Sequence, residues 1–69
     1  MEYVVIIERG ENSFGAYVPD LPGCVAAGET REEVSALIGE AIRLHLDDLR
    51  ERGEAIPLPT SYTETVRVA

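Results

Sequence analysis

Three kinds of side chain here could carry covalent or acid–base chemistry: the single cysteine Cys24, the single histidine His45, and carboxylates of which Asp20, Asp47 and Asp48 are the most suggestively placed. A nucleophilic cysteine needs a neighbour that lowers its pKa, such as a helix N-terminus or a base. Cys24 lies in a short apolar stretch after a proline-rich loop, where a buried structural thiol is the better reading. His45 falls within the apolar arc of a predicted helix, which fits a packed or interface imidazole better than a base, and no HxxxH or CxxC partner makes it a metal ligand. Asp20, between Pro19 and Pro22, has the position of a turn residue bonding its own backbone. Asp47 and Asp48 are adjacent on the helix, so their carboxylates project about 100° apart and do not converge as an acid/base pair must. The glycines form no phosphate-cradling fingerprint. A small enzyme using Cys24 or Asp20 with His45 is therefore the weakest of the available functions, and no cofactor or metal is expected.

The stretch that would position these residues is Val18 to Glu33. It holds two of the four prolines, two of the six glycines and the cysteine. Pro19 and Pro22 each fix φ and remove a backbone donor, so Asp20-Leu21-Pro22-Gly23 is a stiff loop. Cys24 to Ala27 is compatible with a strand that Gly28 breaks, and Thr30 with Glu33 three residues on has the form of an N-cap and capping box. Upstream, Tyr3 to Glu8 is apolar on both parities, as in a strand covered on both faces. Arg9 to Ser13 is of hairpin-turn length, and Phe14 to Val18 is a second strand.

A helix is predicted from Arg31 to Arg52, with Gly53 as its C′ residue. Its apolar positions, Val34 through Leu49, spread over about 200°, whereas one sheet needs a stripe of little more than about 100°. At about 33 Å the helix also outruns six-residue strands of about 20 Å, so the end bearing Leu46 and Leu49 is expected to overhang the sheet. Glu54 to Ser61, with Pro57 and Pro59, is an extended connector, and Tyr62 to Val68 alternates as a fourth strand. The expected fold class is α+β: β-β-β-α-β, a four-stranded mixed sheet of order 3-2-1-4 with one long helix on one face, by the right-handed crossover rule. Residues 1–69 would form a single domain.

The totals exclude several functions. Thirteen acidic against six basic residues give a formal net charge of −7, which repels a phosphate backbone, so direct nucleic-acid binding is not expected. The same charge attracts a basic protein partner. No segment has the character of a secretory signal or a membrane span, and the lone thiol fits a reducing compartment, so a cytoplasmic protein is expected. A chain of 69 residues buries only about 60% of its unfolded surface and cannot form an internal disulfide with one cysteine, so self-association or a partner is expected to add stability.

The run Val18-Pro19-Asp20-Leu21-Pro22-Gly23-Cys24, the Gly28-Glu29-Thr30 step, Glu32-Glu33, Glu40-Ala41-Ile42, Leu44-His45-Leu46 and Gly53 to Pro57 together resemble the N-terminal domain of HicB antitoxins. The similarity covers about Tyr3 to Pro59. It implies a domain similar to a partial ribonuclease H fold, whose relatives bind and block a small HicA toxin, an mRNA-cleaving protein with a double-stranded-RNA-binding-like fold and a catalytic histidine. Many relatives carry a C-terminal ribbon-helix-helix or helix-turn-helix domain for operator DNA. The chain ends at Ala69 without one, so DNA binding and autoregulation are not expected to carry over. Nor is ribonuclease H activity, since Glu8 and Glu64 are the only acids inside the predicted strands and a two-metal site needs several converging carboxylates. The expectation is a non-catalytic antitoxin-type protein that neutralises a small basic HicA-like toxin and forms a dimer or tetramer. The alternative is a homo-oligomeric structural module without a toxin. Expected partner-binding residues are Tyr17, Asp20, Leu21 and Pro22 at the loop, with His45, Leu46 and Leu49 on the helix.

Overall fold

A computed structural model describes all of residues 1–69. Three strands, β1 (Ile6–Arg9), β2 (Phe14–Tyr17) and β3 (Val25–Gly28), precede one helix, α1 (Arg31–Glu51). The strands form an antiparallel meander of order β1-β2-β3. The turn between β1 and β2 is closed by Gly10 N–H donating to the Ser13 carbonyl at 2.8 Å, and Arg9 lies over the Phe14 ring. Register places Ile7 opposite Ala16 and Ala16 opposite Ala26, so one row faces the helix; the next row, Ile6, Tyr17 and Val25, faces the other way.

The core is small. Ala16, Val18, Leu21, Cys24, Val34 and Ile38 form one buried cluster, with Tyr3, Val5, Ile7, Phe14 and Leu46 packed against it. The helix that completes it is capped at both ends as its sequence dictates. Thr30 Oγ1 accepts from Glu33 N–H at 3.0 Å, and the Glu33 carboxylate accepts from Glu29 N–H at 2.9 Å, one residue short of a reciprocal capping box. At the other end Glu54 N–H bonds the Leu49 carbonyl and Gly53 N–H the Arg50 carbonyl, with Gly53 at φ +70, which is a Schellman motif. Asp48 and Arg52, which fall within the apolar arc, are exposed and paired with each other at 2.8 Å.

The expected fourth strand is absent, and the sheet is three-stranded rather than four-stranded in the order 3-2-1-4. Residues 62–69 are exposed throughout, with Tyr62, Val66 and Val68 at 86%, 72% and 83%. No backbone–backbone hydrogen bond involves any residue beyond Glu54. Two physical reasons account for this. The Thr60 and Ser61 N–H groups are both taken by the Asp20 carboxylate, which anchors the chain at the foot of the sheet. The helix also packs mostly on β3, less on β2 and least on β1, so it gives little cover to a strand outside β1. Alternation in Tyr62 to Val68 marks a segment fit for a strand; it does not supply the partner edge. β1 is correspondingly an edge strand and begins at Ile6 rather than Tyr3.

Candidate partner-binding surface

The loop from Val18 to Cys24 is two successive tight turns, each with proline in its second position. Leu21 N–H bonds the Val18 carbonyl at 3.1 Å, and Cys24 N–H bonds the Leu21 carbonyl at 3.0 Å. In the second turn Gly23 follows Pro22 at φ +85, the backbone that a type II turn demands of its third residue. Val18 N–H to the Cys24 carbonyl closes the base. This geometry throws Leu21 inward, where it is 0% exposed, and leaves Pro22 at the surface.

Asp20 does not bond its own turn. Its carboxylate accepts four hydrogen bonds from 40 and 41 residues away: Thr60 N–H at 3.1 Å, Thr60 Oγ1 at 3.0 Å, Ser61 N–H at 3.0 Å and Ser61 Oγ at 2.9 Å. The Ser61 backbone donor does most to hold the carboxyl below its ordinary pKa, with the two hydroxyls and Thr60 N–H adding to it against a desolvation effect of opposite sign. Tyr3 pins the N-terminal segment to the same connector by donating its hydroxyl proton to the Pro57 carbonyl. Thr60 and Ser61 escaped the sequence reading because nothing local announces a partner forty residues away.

Above this clamp lies the sheet face that the helix leaves bare. Ile6, Tyr17 and Val25 are opposite one another in a single cross-strand row, with neighbouring Cβ atoms about 5 Å apart. Tyr17 is 41% and Val25 64% exposed, while Ile6 is half-buried. The adjoining row is Glu8, Gly15 and Ala27, so one carboxylate borders a flat apolar patch. Tyr17 and Pro22 are thus the exposed members of the residues singled out from sequence. His45 and Leu46 are half-buried on the helix, and Leu49 is buried at 9% where the Schellman turn folds back. The helix's surplus apolar surface instead emerges at Leu37 and Leu44, exposed at 42% and 62%.

The groups that could do chemistry are not assembled. Burial pushes the Cys24 thiol up from its usual pKa, which disfavours the nucleophilic thiolate. No side-chain hydrogen bond links Cys24, His45 and a carboxylate, and no three or more His, Cys, Asp or Glu residues cluster as metal ligands. No helix is long and apolar enough to cross a membrane.

A three-stranded meander backed by one capped helix, with a bare apolar sheet face and an acidic surface, defines a small α+β protein built to make contacts. Residues 3–68 match the family described as the HicB-like antitoxin of bacterial toxin–antitoxin systems, and the chain belongs to that family. It is 39% identical to a UPF0150 protein of Thermoplasma acidophilum, over 96% of this chain and 97% of that one. It is 33% identical to Antitoxin HicB 2 of Photorhabdus laumondii, over 93% of this chain but only 46% of that protein. A UPF0150 protein of Helicobacter pylori is 50% identical over 44 residues, 64% of this chain and 61% of that protein. No solved structure matches at a significant level. The antitoxin family points to a binding rather than an enzymatic role, and its kind of partner is a toxin.

Proposed function

We propose that this protein neutralises a small basic HicA-like ribonuclease by covering its RNA-binding surface, with the bare Ile6–Tyr17–Val25 row as the centre of contact. The observation that carries the reading is that row: an apolar strip across all three strands of a chain with formal net charge −7, in a family of antitoxins. The apolar centre supplies burial, and the acidic surround draws in a partner whose surface is adapted to RNA phosphate. Pro22 and the clamped Asp20 border the strip at the foot of β2; Leu21 contributes by holding the loop in place. His45, Leu46 and Leu49 would support the helix side of the same protomer. Neutralisation of an mRNA-cleaving toxin places the protein in the cytoplasm and asks no catalysis, metal or nucleic-acid contact of it.

The test is co-purification with any small basic protein encoded beside it, followed by an RNA-cleavage assay. Tyr17→Glu would leave the helical circular dichroism unchanged and abolish protection of the RNA. Full protection by that variant would remove the sheet face from the interface, and failure of the wild-type chain to bind or protect would sink the reading. Self-association is the second reading, favoured by a core of only 7 buried residues in 69, too few for a comfortable monomer.

A further inference from the structure

The segment after Ser61 has every property of a β-strand except a hydrogen-bonded partner. Tyr62, Glu64, Val66 and Val68 lie on one parity and Thr63, Thr65 and Arg67 on the other, and three of the first set are large apolar side chains left in water. Its backbone groups are unpaired. The molecule is drawn out along it. The Cα radius of gyration is 13.5 Å, where a compact chain of this length would have about 11 Å. The longest dimension is 47 Å, against about 32 Å for the 21-residue helix.

On the other side of the same molecule, β3 pairs only with β2, so its outer edge presents free N–H and C=O groups. Next to that edge is an apolar groove of about 460 Å³, formed by Val25, Ala26 and Ala27 of the strand and Leu37, Ala41 and Leu44 of the helix, with Glu40 at its rim. Because α1 packs chiefly on β3, the Leu37–Leu44 flank extends past the edge and would roof a strand added there. The edge of β1 lacks that roof, since the helix packs least on β1.

The tail and the groove are on opposite sides of the chain, since the tail leaves from beside Glu2, Tyr3 and Val4, which lead into β1. We propose that residues 62–68 of one copy add as a fourth strand to the free edge of β3 in a second copy, with Val66 and Val68 under the Leu37–Leu44 flank. The segment is about 23 Å long when extended and β3 about 13 Å, so the donated strand has length to spare for the crossing. Pairing satisfies the open backbone on both partners, and the valines and leucines cover each other. The Asp20 clamp on Thr60 and Ser61 fixes where the arm leaves its own body. This rests on the self-association reading above and names the segment responsible.

Light scattering after size exclusion, over a wide concentration range, tests it on the full chain. The wild type should associate, and Val66→Glu with Val68→Glu should weaken association about tenfold or more, since each buries a charge in the groove, while the helical signal stays unchanged. Leu37→Glu, on the receiving side, should do the same. As a second measurement, a Val66→Cys chain mixed with an Ala26→Cys chain, both positions on the helix-facing side of the sheet, should give a mixed disulfide dimer under mild oxidation. Association that survives both the tail and the groove variants, with no mixed dimer, overturns strand donation but leaves self-association standing. A wild-type monomer at every concentration overturns both.

Discussion

Gly39 is in the middle of α1, where glycine costs about 1 kcal/mol relative to alanine because its backbone loses more freedom on ordering. Close packing is the ordinary reason to tolerate that cost, and the structure removes it: a Cβ built on Gly39 meets nothing within 4 Å beyond the helix's own backbone. Gly39→Ala should therefore stabilise the chain by about 1 kcal/mol, part of it through a less free unfolded state. For a domain of this size that raises Tm by about 4–8 °C. Thermal melting followed at the helical signal, repeated as a urea titration to check that the slope is unchanged, reads the effect. A lowered Tm would refute the reasoning and would mean that something outside this chain lies against Gly39. Repeating the melt at several protein concentrations separates that case, because a clash between copies grows with association whereas a clash within the chain does not.

The remaining expectations concern the loop and its clamp. Leu21→Ala removes a side chain that is 0% exposed and should cost about 2–5 kcal/mol, a large share of the stability of so short a chain, read by urea denaturation; a loss well under 1 kcal/mol would mean the loop does not anchor the core. The Asp20 carboxyl titrates below its ordinary value in the folded chain, so the clamp's contribution is present above about pH 4 and is lost as pH falls through the lowered folded pKa. Protection of the Thr60 and Ser61 amides, measured against their intrinsic exchange rates at each pH, should fall over that window, and in Asp20→Ala at neutral pH; protection unaffected by either would show that the clamp does not form. Cys24 should resist thiol reagents at neutral pH until the chain is denatured, given its burial and raised pKa, and rapid stoichiometric labelling of the native protein would contradict the core.

What could be foreseen divides along the line between local and distant causes. The capped helix, its Gly53 terminus, the hairpin turn and the stiff loop follow from residues within a few positions of one another, and each is present as the local chemistry requires. The exposed Asp47–Arg50 pair at 3.2 Å is of the same kind. Strand periodicity in Tyr62 to Val68 was equally local and equally real, but a strand also needs an edge, and no strand of the same chain pairs with that segment. Leu21 shows a different limit. A leucine between two prolines in a loop reads as exposed, and only the φ of Gly23 and the two turn bonds determine that its side chain points into the core. The bare sheet face was legible only at Tyr17, expected to meet a partner; the two-sided apolarity of Tyr3 to Glu8 reads as a strand covered on both faces, and the place of Val25 in the row depends on the β2–β3 register.

That row and the β3 groove are separate surfaces of one sheet, and the separation bears on how association and toxin binding relate. The groove is an edge, satisfied by a strand that enters in the plane of the sheet and is roofed by Leu37 and Leu44. The row is a face, pointing away from the helix, and a strand arriving at the edge extends it rather than covers it. On strand donation, Thr63, Thr65 and Arg67 of the arriving strand continue the bare face, because the valines of opposite parity are turned toward the helix. A second copy then widens the contact surface and adds a guanidinium to its margin without occupying Tyr17. Competition between the two events would require the arm to bind in the other parity, placing Val66 and Val68 beside Val25 and leaving Leu37 and Leu44 in water; the Leu37→Glu variant separates the parities, since only the first buries that position.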